Sequence, residues 1–162
     1  MNSLLSSNYL DVLGQINLDE LNVRQAFDYY RKRYQQSEFA QQFVSNSCCI
    51  DNDVRESAAV GYCDRTMGKH FPKAKTYEGA AIRGSLQRFG LIRSSGHELF
   101  RGCVVFPTYH ENGNVISALG YRVGRLRRGD KTIIYWHKPE EKSFVNVGMN
   151  YAKELIREQA YH

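Results

Sequence analysis

The stretch FRGCVVFPTYHENGNVISALGYRVG (Phe100–Gly124) decides how the chain is read. Its two halves are rich in Val, Ile, Phe and Tyr, and a polar His-Glu-Asn-Gly-Asn segment separates them. That pattern predicts a β-hairpin, with strands at Cys103 to Tyr109 and Val115 to Val123. Asn112-Gly113 is expected to supply the positive φ angles of a tight connection. Pro107 has no N–H to give a ladder, so its strand is expected at a sheet edge or to end there. A third strand, Thr132 to His137, follows the basic turn Gly124 to Lys131.

Helices are expected on both sides of this meander. Asn22 is read as the cap of a helix whose Val23, Phe27, Tyr30 and Tyr34 form one apolar stripe, with Arg31-Lys32-Arg33 on its last turns. Ser37 is read as capping a second helix with Phe39, Phe43 and Val44 inward. Asp51 is read as capping a third, Asp51 to Ala59, with Val54 and Ala58 inward, and Gly61-Tyr62 closes this helical part. Thr76 caps a helix with Ile82, Leu86 and Phe89 inward and Gly90 as its stop. A last amphipathic helix is expected over Met149 to Ala160, using Ala152, Leu155 and Ile156. The fold class is α+β: short helices, a three-stranded antiparallel meander, then a helix. Residues 1–21 are expected to be an N-terminal arm, docked or disordered, and residues 22–162 a single domain.

A length of 162 residues and 42% hydrophobic content are enough for one core. No apolar run is long enough to span a bilayer, and the start lacks the basic and apolar regions of a signal peptide, so a cytoplasmic location is expected. Cys48, Cys49, Cys63 and Cys103 include no CxxC pair. Even with His70 close to Cys63, buried thiols fit better than a metal site. The net charge of +5 is uneven: residues 1–60 carry −3 and residues 61–162 carry +8. Such asymmetry suits a polyanionic partner on the C-terminal portion, although an ordinary solvated basic face has the same signature.

With these elements placed, ELFRGCVVFP…ENGNVISALGYRV resembles the N-terminal subdomain of the polymerase core of bacterial DnaG-type primases. Phe100, Arg101, Phe106, Pro107, Gly113, Gly120 and Arg122 match the family's Phe-Arg strand ending in Phe-Pro, its polar turn and its Gly-x-Arg. Val60-Gly61-Tyr62, Gly90-Leu91-Ile92 and the segment Tyr135 to Phe144 match further family segments in the same order, so the resemblance covers roughly residues 22–151. It implies a primase-core fold and DNA contact through the matching arginines. It departs where a second arginine is replaced by Cys103 and a lysine by Ile134. Neither the family's zinc ribbon nor its metal-holding Toprim domain has a counterpart in the 162 residues.

Glu78-Gly79 and Asp51-Asn52-Asp53 mimic Toprim acids, but neither follows a buried strand and their order is reversed, so helix-start roles explain them better. Walker, GxSxG and HExxH signatures are absent from the sequence. No catalytic residue, metal or cofactor is expected. Single-strand binding needs cations along a backbone and flat rings for bases. The candidate set is Arg101, Arg122, Arg125, Arg127, Arg128, Lys131, Trp136 and Lys138, with Lys73 and Lys75 from the basic loop 65–75. Strand alternation allows only one of Tyr135 and Trp136 on such a surface.

The expected function is a non-catalytic module binding nucleic acid, most of all single-stranded DNA, in a primase-like replication system of a phage or mobile element. A partner chain would supply a Toprim or helicase function. The alternatives are a protein-interaction or regulatory subunit that keeps the fold without DNA binding, and a subunit that binds nucleotides through its clustered arginines.

Overall fold

The computed structural model describes residues 2–47, 50–55, 59–73, 75–124, 126, 128–129 and 131–139, with only the backbone for 2–17, 54 and 55. The elements are α1 (Asn2–Gln35), α2 (Glu38–Asn46), α3 (Asn52–Arg55), β1 (Gly61–Tyr62), α4 (Met67–His70), α5 (Tyr77–Arg88), β2 (Cys103–Tyr109), β3 (Val115–Arg122) and β4 (Ile133–His137). They form an α+β fold around an antiparallel sheet in the order β1-β2-β3-β4. The helix expected over 149–160 lies outside the described residues, as do Ala58, Cys48, Cys49, Arg125 and Arg127. No helix among the described residues is long and apolar enough to cross a membrane.

Strand alternation sorts side chains into two cores. Inward from the sheet, Cys103, Val105, Ala118, Ile134 and Trp136 meet Val23, Ala26, Phe27 and Tyr30 of α1 and Leu86 of α5. Phe27 is the hub, with its ring 5.5 Å from Trp136, 5.7 Å from Tyr30 and 6.4 Å from Phe100. Burial of such side chains contributes about 1.5–3 kcal/mol each. On the other face, Val104, Phe106 and Tyr121 pack against Ala40 and Val44 of α2. Gly120 of β3 is where Phe100 enters the inner core. A Cβ there would lie 2.5 Å from the Phe100 ring, so the aromatic turn and the sheet meet only over a bare Cα.

The capping expectations at Ser37 and Thr76 hold: Ser37 Oγ accepts from Ala40 N–H and Thr76 Oγ1 from Gly79 N–H. After α5, Gly90 N–H donates to the Gln87 carbonyl and Leu91 N–H to the Leu86 carbonyl. This Schellman pattern brings buried Leu86 and Leu91 together.

Several expectations are corrected. Asn22 is not a cap, because α1 runs unbroken from Asn2. Asn22 is satisfied across the α1–α5 contact instead. Asn22 donates to Ser85 Oγ, Ser85 donates to Asp19 Oδ1, and Arg88 chelates both Asp19 oxygens at 3.0 and 2.7 Å. Phe39 faces outward, 58% exposed. The sheet has a fourth strand: Gly61 and Tyr62 pair with Val105 and Val104. Because β1 stops there, Pro107 lies beyond its reach and pairs with Ala118 on the β3 side, in keeping with its missing N–H. At the hairpin turn only Gly113 takes a positive φ, +86°. Gly113 N–H donates to the His110 carbonyl and His110 N–H to the Asn114 carbonyl, a three-residue connection rather than a two-residue one.

Candidate nucleic-acid interface

Arg101 stands on a turn that the backbone dictates. Cys103 N–H donates to the Phe100 carbonyl at 2.8 Å, and Gly102 between them has φ +73°, a conformation that a side chain disfavours. Gly102 N–H then donates to the Cys63 carbonyl, and Cys63 N–H to the Cys103 carbonyl. Two residues of one chain segment thus oppose one of the other, a glycine bulge that ends the β1–β2 ladder. Phe100 drops into the core while Arg101 points along the surface, half-buried. A second tight loop, closed by Arg93 N–H to the His97 carbonyl and the Ile92–Glu98 bridge, carries Arg93 and Glu98 beside it.

Two clefts open on this surface. The smaller, about 210 Å³, lies among Arg93, Glu98, Arg101, Arg122 and Lys131. Arg122 Nε donates to the Lys131 carbonyl at 3.4 Å, tying the end of β3 to the turn before β4. The larger, about 440 Å³, has Arg65, Arg83 and Arg101 on its walls and Met67, Phe71 and Ile92 among its apolar lining. His97, Glu98 and Arg101 line both clefts. Arg83 lies over the Phe71 ring, 5.4 Å from its centroid, and donates to the Pro72 carbonyl.

Glu98 is the one carboxyl in this basic wall among the described lining residues. Burial holds it above the ordinary carboxylate range, against the opposing pull of hydrogen bonds from Cys63 and Tyr30. The Tyr30 hydroxyl donates to its Oε1 at 3.3 Å. Burial also raises both nearby thiols, Cys63 well above its usual value and Cys103 to about 11, with Arg122 and Arg65 pulling Cys103 back. Both are therefore protonated, non-nucleophilic thiols at neutral pH.

The structure brings together Arg101, Arg122 and Lys131 of the sequence-based set. Arg128 is exposed on the same turn, next to Gly129 of the smaller cleft. Lys73 and Lys75 are exposed before α5 and line neither cleft. Two members are corrected. Trp136 is 4% exposed and its indole N–H donates to the Phe89 carbonyl at 2.7 Å, so its face is not open for stacking; its neighbour Tyr135 is the outward residue, 65% exposed. Lys138 is paired with Glu20 of α1 and shielded from solvent, and so is not a free cation. Arg65, Arg83, Arg93 and Glu98 were outside the set. Arg65 was visible as part of a basic loop, but nothing local marks the other three, because only the tertiary fold converges them.

Glu78 and Asp53 are exposed in the first turns of α5 and α3. Among the described residues no group of three His, Cys, Asp or Glu side chains is placed to hold a metal ion.

No protein-family model matches the chain, and no curated protein does. Solved structures do. The DnaG primase catalytic domain bound to single-stranded DNA superposes with a TM-score of 0.54 at 22% identity, over 79% of this chain and 41% of that one. The Aquifex aeolicus primase, comprising zinc-binding and RNA polymerase domains, gives 0.56 at 21%, over 78% of this chain and 30% of that one. The Escherichia coli primase catalytic core gives 0.53 at 21%, over 75% and 38%. The chain thus has the fold of a part of the primase catalytic core, and it spans less than half the length of each of these structures.

Proposed function

We propose that this protein binds single-stranded nucleic acid, DNA foremost, along the smaller cleft, as a non-catalytic module of a primase-like replication system. The carrying observation is the convergence of Arg93, Arg101, Arg122 and Lys131 on one groove with no acid paired to any of them among the described residues. Cations at such spacing suit successive phosphates. The likeness to a primase domain solved with single-stranded DNA supports the same reading. Chemistry, on this reading, comes from Toprim-type acids outside these 162 residues, in the cytoplasm of a cell hosting a phage or mobile element.

Fluorescence anisotropy with labelled 15-mers at low salt tests it. Micromolar or tighter binding is expected, and Arg101→Ala with Arg122→Ala should weaken it at least tenfold for every sequence while the thermal melt is unchanged. Normal binding by that double variant would show that the groove is the wrong surface.

A second reading draws on the outer sheet face. Phe39, Ile133 and Tyr135 are exposed there, and a cavity of about 430 Å³ lies between Phe39, Phe43 and Val123. Apolar exposure of this kind suits a protein partner. A regulatory or interaction subunit becomes the better description if the purified chain binds no oligonucleotide at low salt.

A further inference from the structure

The two clefts differ in chemistry. A phosphodiester backbone needs cations, and Arg93, Arg101, Arg122 and Lys131 line the smaller cleft. The larger one pairs an apolar floor, with Met67 and Ile92 buried, with three arginines and Glu98 on its walls. That is the make-up of a small-molecule pocket, and its volume falls in the usual range of roughly 300–1,000 Å³. Arg83 lies over the Phe71 ring, 5.4 Å from its centroid, and donates to the Pro72 and Gly68 carbonyls. Its guanidinium is thereby tethered to the wall of the cleft, and bases stack on guanidinium planes.

Glu98 supplies the polar handle. Ionised, it only accepts hydrogen bonds, and with roughly four lone-pair sites it is not exhausted by Tyr30 and Cys63. A base amine would be accepted, as acidic side chains accept from the cytosine amine. Thymine and uracil present a carbonyl oxygen at the equivalent position and would face the carboxylate with like polarity.

We propose that the larger cleft is a base pocket: it takes one nucleobase carrying an exocyclic amine, with Glu98 accepting from the amine and the Arg83–Phe71 pair forming the stacking surface. The inference rests on the strand-binding reading, since Arg101 is common to both clefts and a base leaving the strand at Arg101 enters the pocket directly. The same chemistry would accept a free mononucleotide.

Anisotropy with labelled dC15, dA15 and dT15 at pH 8 and low salt tests the pocket. The wild-type chain is expected to bind dC15 and dA15 about tenfold more tightly than dT15. Glu98→Gln should remove the preference, chiefly by improving dT15 binding, because glutamine both donates and accepts. A second measurement needs no variant. Irradiating the wild-type complex with a 15-mer containing 5-iodo-deoxycytidine should cross-link the peptide holding Phe71, which lines the larger cleft alone. Displacement of dC15 by dCMP, but not by dTMP, would assign the pocket to free nucleotides; cross-linking without displacement would assign it to a base of the strand. Equal wild-type affinity for dC15 and dT15 overturns the pocket, as do cross-links confined to Arg93, Arg122 or Lys131, with strand binding itself intact in either case. Loss of all oligonucleotide binding fails both readings together.

Discussion

At Gly120 one missing methyl group decides whether the turn carrying Arg101 can dock. A Cβ there meets the Phe100 ring at 2.5 and 2.9 Å and Cys103 Cβ at 3.3 Å. Gly120→Ala is expected to lower stability by about 1–3 kcal/mol, the usual cost of overpacking, read as a shift in the urea midpoint. Phe100→Leu in the same chain should recover part of that loss, because the two changes act on one contact. Glu98 and Asp64 give the fold opposite pH signatures. Glu98 titrates above its unfolded value of 4.5 because burial disfavours its charge. Its charged form is therefore better tolerated in the unfolded chain, and stability should fall as pH rises from about 4.5 through the folded-state value. Asp64 is lowered: burial opposes its charge, but bonds from Thr66 and Arg33 outweigh it. Its contribution is complete above the unfolded value of 3.8 and is lost as pH falls through the folded value. Urea titrations between pH 3 and 8 should show the upper slope vanish in Glu98→Gln while the lower one persists. An unchanged upper slope would mean that Glu98 is not the group responsible.

Strand β4 shows what each element contributes to placing the groove. Its alternation sends Ile134 and Trp136 into the core and leaves Ile133, Tyr135 and His137 outside. The Trp136 indole bond to the Phe89 carbonyl joins β4 to the end of α5. Trp136→Phe keeps a ring against Phe27 but removes this bond, and should cost about 1–2 kcal/mol. Since Trp136 is the single tryptophan, fluorescence reports directly on its placement. Its emission is expected to be blue-shifted in the folded protein and nearly unaffected by saturating oligonucleotide. Strong quenching on binding would put a base on the indole and contradict the burial. The strands β2, β3 and β4 were legible in the sequence because period-two patterning and the Asn-Gly turn are local signals. Strand β1 was not, since two residues carry no period. The start of α1 was misread because Asn22, polar at a core-facing position, makes its partner Ser85 on α5, more than sixty residues away. The same division governs the site. Arg101, Arg122 and Lys131 were readable from strand ends and a turn, whereas Arg83 on α5 and Glu98 on the loop after it acquire meaning only from the tertiary fold that brings them to Arg101.

Across the whole molecule, ion pairing selects which cations remain for a ligand. Two acids of α1 engage cations of the C-terminal part: Asp19 takes Arg88 and Glu20 takes Lys138. Glu20 also accepts from Asn114, whose own side-chain oxygen accepts from Arg24, so the hairpin tip is fastened to α1 by the same group. Among the described residues of 61–162, Arg88 and Lys138 are therefore paired at α1, and cations near the clefts are left unpaired. There Arg65, Arg93, Arg101, Arg122 and Lys131 form no ion pair among the described residues. If about four of them displace counterions from a single strand, the logarithm of the binding constant should fall with the logarithm of salt concentration with a slope of about −3, at roughly −0.7 per contact. Removing Arg101 and Arg122 together should flatten that slope by about 1.4 units. Lys138→Ala, by contrast, should leave it unchanged, because that lysine is already neutralised by Glu20. Anisotropy titrations from 25 to 300 mM salt separate the two cases. A steeper loss from Lys138→Ala than from the arginine pair would place the strand on the α1 side of the sheet and remove the clefts from the interface.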